Sequence, residues 1–127
     1  MASIATIQGT IQNDAFYFPL DVNGQTVPNM VLDTGAFELT FNGTVAQQLG
    51  LPLLRQIQIG GVGGNATAYE SVCHISLGGQ QYNNVPCIVD PNFSLNGLFG
   101  LRFFVDNKLS LTLDTVSQQL TISDPSC

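Results

Sequence analysis

The amino-acid sequence predicts a mostly β fold with one or two short helices, formed by a single domain over residues 1–127. Short runs of alternating apolar and polar residues follow one another along the chain, which is typical of half-buried strands. Turn-forming pairs such as Asn23-Gly24 and Gly78-Gly79 separate several of these runs. Helical spacing of apolar residues is confined to short stretches. These observations favour a β-barrel or sandwich of many short strands.

The first third of the chain is predicted to consist of strands. A weakly alternating segment comes first, and the Asn23-Gly24 pair predicts a hairpin turn between the next two strands. Pro28 marks an edge or a bulge in the second of these, because proline has no N–H to donate to a neighbouring strand. The predicted strands cover residues 3–12, 15–22, 25–32 and 37–41.

The clearest helical signal is the short segment 44–49. Asn42 or Thr44 can serve as its N-cap, because the side-chain oxygen of either residue can accept a hydrogen bond from the first turn. Gly50 provides a C-cap, and Pro52 prevents the helix from continuing. We therefore expect one short helix directly after the strand over 37–41.

The rest of the chain continues the strand pattern around two glycine-rich turns. A glycine-rich tip separates the first two strands, and Gly78-Gly79 separates the next two. A sharp glycine turn lies in segment 98–105, whose end can form a second short helix, and a last hairpin closes the chain. The predicted strands cover residues 55–59, 65–69, 71–77, 82–90, 109–114 and 119–123.

Charged residues make up only 9% of the chain, whereas about a quarter is usual in a globular domain. The chain is 44% hydrophobic and uncharged polar residues can solvate its surface, which argues against disorder. Because three basic residues and a net charge of −6 cannot build a basic patch, we expect no nucleic-acid partner. No apolar run approaches the ~20 residues of a transmembrane helix, so we expect no membrane partner.

The first residues, Met1–Ile4, do not resemble a signal peptide, because they bring neither a basic region nor a long apolar one. The sequence therefore leaves the compartment open. A periplasmic or secreted location stays compatible with it if a leader has been removed.

Three cysteines, Cys73, Cys87 and Cys127, are too few and too irregularly spaced for a zinc site or a disulfide framework. If Gly78-Gly79-Gln80-Gln81 closes a hairpin, residues whose numbers add to about 160 face each other, which sets Cys73 opposite Cys87. A cross-strand disulfide and two buried free thiols are both compatible with that register. The frequent burial of free cysteine favours the thiols.

An apolar strand ends in the hexad Val31-Leu32-Asp33-Thr34-Gly35-Ala36, which carries one carboxylate from a buried strand into a tight turn. Gly35 permits the backbone of that turn and leaves room beside the carboxylate, and the Thr34 hydroxyl can brace it. A carboxylate in this setting suits an aspartic peptidase, in which two such groups share a proton and activate a water. The chain has one copy of the motif, so a second chain would have to supply the second carboxylate.

Three segments, in order, resemble the retropepsin-like family of aspartic proteases, in its cellular and bacterial branch rather than its retroviral one. The first matches the catalytic signature of that family, the second resembles the tip of its flap hairpin, and the third resembles its hydrophobic-hydrophobic-Gly motif. These segments are Val31–Ala36, Ile59–Gly64 and Gly97–Phe104. The resemblance spans about residues 15–123 and implies a single-lobe acid-protease barrel with a flap hairpin and one or two short helices.

The resemblance implies an aspartic endopeptidase that acts as a homodimer on a peptide or protein substrate, without a metal or cofactor. Asp33, Thr34 and Gly35 are the implied catalytic residues, and the two Asp33 carboxylates activate a water. Chain ends often interleave across the dimer interface in this family, and residues 1–12 and 119–127 are apolar enough to do so. The implied substrate-binding residues are Ala36, Phe37, Ile59, Gly60, Gly61, Val62, Gly63, Gly64, Leu98 and Phe99.

A catalytically weak or inactive dimerisation or peptide-binding module of a larger protein is the alternative that keeps this fold. The chain also departs from the retroviral members, because Phe37 and Leu101 stand where those enzymes carry the acidic residue and the arginine of an ion pair. Both halves of the pair are absent together, which is less damaging than the loss of one. Glu38 and Arg102 lie one position further along and are candidates to replace it.

Overall fold

A computed structural model describes residues 1–61 and 64–126 of the chain. These residues form eleven strands and two short helices, which confirms the mostly β class predicted from the sequence. The strands are β1 (Ala2–Gln8), β2 (Thr10–Gln12), β3 (Ala15–Val22), β4 (Gln25–Leu32), β5 (Thr40–Asn42), β6 (Arg55–Gly61), β7 (Gly64–Leu77), β8 (Gln80–Asp90), β9 (Gly97–Phe99), β10 (Ser110–Asp114) and β11 (Gln119–Asp124). The helices are α1 (Gly43–Leu49) and α2 (Arg102–Asn107), and neither is long and apolar enough to cross a membrane.

The described strands form two sheets. The larger sheet has the order β2-β3-β4-β9-β5-β8-β7-β6, and β3 also pairs with β7, so the sheet bends until two of its strands meet. The smaller sheet has the order β1-β11-β10 and brings the two ends of the chain together. Strand β9 runs parallel to β4 and antiparallel to β5. It is therefore inserted between two strands from the first half of the chain.

The Asn23-Gly24 turn joins β3 to β4, as the sequence predicts. The register between these strands shifts between Phe18 and Leu20, and Pro28 lies at the resulting bulge. Asn29 follows the proline with φ 56°, a left-handed conformation that asparagine tolerates better than most residues. The bulge accommodates the proline because its missing N–H would otherwise interrupt the hydrogen-bond ladder.

Helix α1 begins and ends at its predicted capping residues. The Val45 N–H donates to Asn42 Oδ1 at 2.8 Å, so Asn42 and not Thr44 is the N-cap. Gly50 is the C-cap at φ 69°, and its N–H donates to carbonyls of the last turn. The buried face of the helix consists of Val45, Ala46 and Leu49.

Aromatic side chains from β3, β9 and α2 form the centre of the core. Phe99 stacks on Phe18 and on Phe104, with ring centroids 6.0 and 5.0 Å apart, and Phe103 meets it edge-on at 5.4 Å. At the other end of β9, a Cβ on Gly97 would come within 2.6 Å of both neighbouring strands. This close packing fixes β9 against β4 and so sets the position of the residues that follow β4.

Cys73 and Cys87 are buried free thiols. They lie on neighbouring strands, but Cys73 pairs with Val85 and Cys87 pairs with Ser71. The expectation that the two cysteines face each other is wrong, because the Gly78-Gly79 loop has only two residues and a bulge after Cys73 shifts the register. A hydrogen bond with Cys87, together with burial, raises the pKa of the Cys73 thiol and keeps it protonated.

Candidate active site

Asp33 is the first residue after β4, where the chain leaves the core. Strand β9 runs parallel beside β4, with Val31 paired to Leu98 and Leu32 paired to Phe99. The Asp33 N–H extends this ladder by donating to the Phe99 carbonyl at 3.0 Å. The residue is therefore held by backbone on a buried pair of strands, which gives a reactive group a rigid support.

The turn at Asp33 holds one oxygen of its carboxylate. The Gly35 N–H donates to Asp33 Oδ1 at 2.9 Å, and a Cβ at Gly35 would lie 3.2 Å from that oxygen. Within residues 1–61 and 64–126, no hydrogen bond engages Asp33 Oδ2 or the Thr34 hydroxyl. Asp33 is half-buried, whereas Thr34 and Gly35 are exposed. The turn thus presents a carboxylate oxygen and a hydroxyl that the described residues leave available.

A second turn, at Gly100, lets backbone hydrogen bonds join the segment after Asp33 to the start of α2. The Leu101 N–H donates to the Ala36 carbonyl at 3.0 Å, and the Arg102 N–H donates to the Phe37 carbonyl at 2.7 Å. Gly100 is buried at this contact, and a Cβ there would lie 2.5 Å from the Phe37 oxygen. Only a residue without a side chain lets the two backbone segments approach this closely.

An ion pair reinforces that contact. Arg102 Nη1 donates to both oxygens of Glu38 at 3.0 and 3.2 Å, and Arg102 Nε donates to Asp106 at 3.3 Å. The hydrogen bond with Glu38 raises the pKa of Arg102. The two residues proposed from the sequence as a replacement pair therefore do meet, within one chain. No group of three or more His, Cys, Asp or Glu that could hold a metal ion occurs in the described part of the chain.

Four of the predicted substrate-binding residues lie on the two segments that flank Asp33. Phe37 is 53% exposed, and Ala36 and Leu98 are half-buried, so these three can reach a ligand. Phe99 is fully buried in the aromatic core. This corrects the expectation that Phe99 contacts substrate, because its side chain packs inward and supports the strand that holds Asp33.

Strands β6 and β7 form a long hairpin, with Ile59 paired to Ala66 and Gly60 paired to Asn65 near its end. The last described pair is Gly61 with Gly64. Val62 and Gly63, which were also predicted to belong to a flap tip, lie outside the described residues. The predicted glycine-rich hairpin is present, and four of its six predicted flap residues are at its end.

Arg55 and Glu70 form a two-pronged ion pair at the base of this hairpin, with Nε to Oε1 at 2.7 Å and Nη2 to Oε2 at 2.9 Å. Their hydrogen bond raises the pKa of Arg55 and lowers that of Glu70. Both side chains are well exposed, at 69% and 43%, so water screens the pair. This pair is not among the sequence-based predictions, although the register of the hairpin contains its signal. Once Gly60 is paired with Asn65, antiparallel counting sets Arg55 opposite Glu70.

Comparison with known proteins gave a family match and several similar folds. A sequence model of the family described as aspartyl protease matches residues 18–103, which include the Asp33 turn. No curated protein matches the chain. A solved structure of a retropepsin-like aspartic protease from Rickettsia conorii is similar, with a TM-score of 0.64 and 18% identity, covering 93% of this chain and 92% of that one.

Two further solved structures have similar folds. EIAV protease complexed with the inhibitor HBY-793 has a TM-score of 0.61 and 23% identity, covering 82% of this chain and 100% of that one. The retroviral protease-like domain of Ddi1 from Leishmania major has a TM-score of 0.62 and 19% identity, covering 84% of this chain and 86% of that one. At these identities the likeness concerns the fold alone, and the chemistry has to be argued from the residues.

Proposed function

This chain belongs to the aspartyl protease family and has a retropepsin-like fold, and from that premise we propose that it is an aspartic endopeptidase that works as a homodimer. Each chain contributes one Asp33. The paired carboxylates activate a water molecule, which attacks a peptide bond of a peptide or protein substrate. Asp33, Thr34 and Gly35 are the proposed catalytic residues.

This proposal rests on one observation, which is that one carboxylate oxygen of Asp33 is left without a hydrogen bond by the described residues and can bind water. The Gly35 N–H holds Oδ1, while Oδ2 has no hydrogen bond among the described residues. A turn that served only to connect two strands would have no need to hold a half-buried carboxylate on a rigid strand pair. Because this arrangement occurs once in the chain, the second carboxylate that the chemistry needs comes from a second copy.

The proposed chemistry follows from two carboxylates held close together. Two such groups cannot both ionise cheaply, so the pair holds one proton. The ionised carboxylate takes a proton from the water as the water oxygen bonds to the peptide carbonyl carbon, while the protonated carboxyl polarises the carbonyl oxygen. The exposed Thr34 hydroxyls would hydrogen-bond across the two-fold axis and keep the carboxylates coplanar.

The β6–β7 hairpin is the proposed flap. Glycines at its end leave backbone N–H groups free of neighbouring side chains, so they can approach an extended peptide. Exposed Phe37 and half-buried Leu98 favour apolar substrate side chains beside the scissile bond. Closure of such a hairpin would exclude water from the reacting carbonyl.

The test is pepstatin-sensitive cleavage of a denatured protein between about pH 3 and 7, where one carboxylate of a coupled pair can hold the shared proton. We expect the wild type to cut and the Asp33→Asn variant to lose cleavage by about three orders of magnitude or more, as for other groups that act on the reacting atoms. Asp114→Asn is the matched control. It also changes an aspartate that precedes a threonine, but Val116 replaces the glycine there.

The same experiment separates the enzyme from the alternative. A wild-type protein that forms a dimer but neither cuts nor binds pepstatin would favour the dimerisation or peptide-binding module. Equal cleavage by wild type and Asp33→Asn would contradict the proposed catalytic role.

A further inference from the structure

The two ends of the chain are paired with each other within one chain. Strand β1 pairs with β11 along its length, down to Gln8 with Gln119. The Gln8 amide also donates to the carbonyls of Ser117 and Gln118, at 3.0 and 3.1 Å, and the Gln118 side chain accepts from the Ile11 N–H at 2.6 Å. An exchange of these ends between two copies would replace each bond with an equivalent one and would add none.

The two outer strands of the smaller sheet differ in how far their edges are covered. Strand β1 has a bulge between Ser3 and Ala5, and the Gly78 turn lies against it, because a Cβ on Gly78 would overlap the Ile4 carbonyl. Strand β10 pairs with β11 at every residue and without a bulge. In the described part of the chain, β11 is the only strand beside β10. The outer edge of β10 therefore keeps N–H and C=O groups that can pair with another strand.

Strand edges usually carry a feature that prevents pairing, such as a charge, a proline, a bulge or a very short length. The edge strands of the larger sheet follow this rule, because β2 has only three residues and β6 begins with Arg55. The segment Leu109–Leu113, which contains most of β10, has none of these features. It is thus an unprotected template for an added strand.

The side chains of this segment indicate which strand would fit. Leu109, Leu111 and Leu113 are only half-buried, although they pack against the core. Ser110 and Thr112 alternate with them, and their hydroxyls make no hydrogen bond among the described residues. An antiparallel second copy centred on Leu111 would set leucine opposite leucine, and the Ser110 hydroxyl opposite that of Thr112. The segment is therefore complementary to itself, as a two-fold interface requires.

Helix α2 connects β10 to the Asp33 turn. At its start, the Leu101 N–H donates to the Ala36 carbonyl at 3.0 Å, and after its end the Leu109 N–H donates to the Phe104 carbonyl at 2.9 Å. The helix has six residues and is about 9 Å long. A two-fold axis at the edge of β10 can therefore also pass beside the Asp33 turn, where the proposed chemistry needs a second carboxylate.

We propose that two copies of this chain dimerise edge to edge through antiparallel β10 strands centred on Leu111. The pairing joins the two three-stranded sheets into one continuous sheet across the two-fold axis. Because the second copy is the partner that the proposed function requires, this interface rests on that function. Each chain keeps its own ends, so the arrangement competes with the interleaving of residues 1–12 and 119–127 that the family resemblance implies.

A double-cysteine variant separates the two arrangements. Thr6 and Thr121 are partners on β1 and β11, with hydroxyl oxygens 3.5 Å apart, so cysteines at both positions can form a disulfide. Thr6→Cys and Thr121→Cys are combined with Cys127→Ser, and the dimer is oxidised and run on a denaturing, non-reducing gel. We expect the mass of one chain. A covalent dimer would mean that the ends are exchanged and would overturn the proposal.

Single cysteines test the centre of the interface. Opposite residues of antiparallel strands have Cα atoms about 4.5–5.5 Å apart, which a disulfide can bridge. Leu111→Cys, made with Cys127→Ser, should therefore give a covalent dimer on oxidation, because residue 111 faces its own equivalent. Thr112→Cys is the matched control, since its two copies would be diagonal neighbours about 7–8 Å apart and should cross-link little. No cross-link at Leu111, or equal cross-linking at both positions, would contradict the proposed register.

Thr112→Lys tests the same edge without a change at a leucine that packs on the core. Thr112 is exposed in the single chain, so Tm should stay unchanged, whereas the paired sheet would bring two lysines close together. We expect the Kd of the dimer, measured by sedimentation, to rise about tenfold. Thr6→Lys is the control, because Thr6 and Thr112 both pair with Thr121 and so lie in one row across the sheet. An unchanged Kd for Thr112→Lys would count against the β10 edge.

The interface and the proposed function can fail separately. A dimer that cross-links through Leu111→Cys but cuts no peptide would leave the interface standing and refute the enzyme. Cleavage that depends on Asp33, in a protein that does not cross-link through Leu111→Cys, would overturn the interface alone. Asp114 lies outside Leu109–Leu113, and its carboxylate accepts hydrogen bonds from its own turn, so Asp114→Asn stays a valid control for cleavage.

Discussion

Gly100 shows how one missing side chain shapes the candidate site. A Cβ there would lie 2.5 Å from the Phe37 oxygen and 2.7 Å from the Glu38 oxygen, and neither is a flexible side-chain atom. The close approach allows the Leu101 and Arg102 N–H groups to bind the segment that follows Asp33. A residue of the third sequence motif thus acts on the geometry of the first.

We expect Gly100→Ala to lower the free energy of unfolding by about 1–3 kcal/mol, as for overpacking of a tight interior. Urea denaturation followed by circular dichroism measures this. Gly60→Ala is the control, because among the described residues a Cβ at Gly60 would meet only the Asn65 side chain, at 3.4 Å. Equal stability of wild type and Gly100→Ala would show that the two segments can separate without loss.

Elements with local signals were predicted well from the sequence, and those fixed by distant contacts were not. The caps of α1 at Asn42 and Gly50 are readable because a cap acts within a few residues. The insertion of β9 between β4 and β5 leaves no local pattern, since it depends on aromatic packing between distant segments. The Cys73 register was missed for a related reason, because a bulge has no reliable signature in an alternating strand.

The N-cap of α1 gives a paired test at the scale of the element. Asn42→Ala should cost about 1 kcal/mol of stability, because the Val45 N–H loses its acceptor. Thr44→Ala should cost less, since no hydrogen bond to its side chain occurs among the described residues and it is exposed. Chemical denaturation of both variants measures the difference. A larger loss at Thr44 would contradict the assignment of the cap.

The ion pair at the base of the β6–β7 hairpin predicts a dependence on pH. Arg55 lowers the pKa of Glu70 in the folded state below its ordinary value of 4.5. The pair therefore stabilises the fold above the unfolded pKa, and this contribution is lost as pH falls through the lower folded pKa. We expect Glu70→Gln to melt at a slightly lower temperature than wild type at pH 7. The difference should shrink as pH falls through the folded-state pKa of Glu70, because the protonated carboxyl is uncharged like the glutamine amide. A difference that grew in acid would contradict the role of the pair.

At the scale of the whole molecule, the proposed site requires two chains. The mostly β class and the retropepsin-like fold could be predicted from the sequence, because turn-forming residues and the order of the motifs can be read along a single chain. The sequence also predicts a homodimer, and this stays a prediction, since an interface depends on two surfaces meeting. The interleaving of residues 1–12 and 119–127 across an interface stays a prediction. In the single chain, β1 pairs with β11, from Ala2 with Asp124 to Gln8 with Gln119.

A site shared between chains predicts inhibition by an inactive copy. Asp33→Asn added in excess to wild type should reduce cleavage, because mixed dimers hold only one ionisable Asp33. Ninefold excess should leave on the order of a tenth of the specific activity if exchange is complete. Asp114→Asn added in the same amount is the control and should not inhibit. Cleavage that is insensitive to the inactive copy would mean that one chain acts alone.

The pairing of β1 with β11 also has a topological consequence for engineering. Since Ala2 and Asp124 are partners in one ladder, the two termini leave the molecule side by side. A short linker could then join the two termini to give a circular permutant whose new ends lie at the exposed Gly24 turn. The order of the strands along the chain would change, but each strand would keep its neighbours in the sheet.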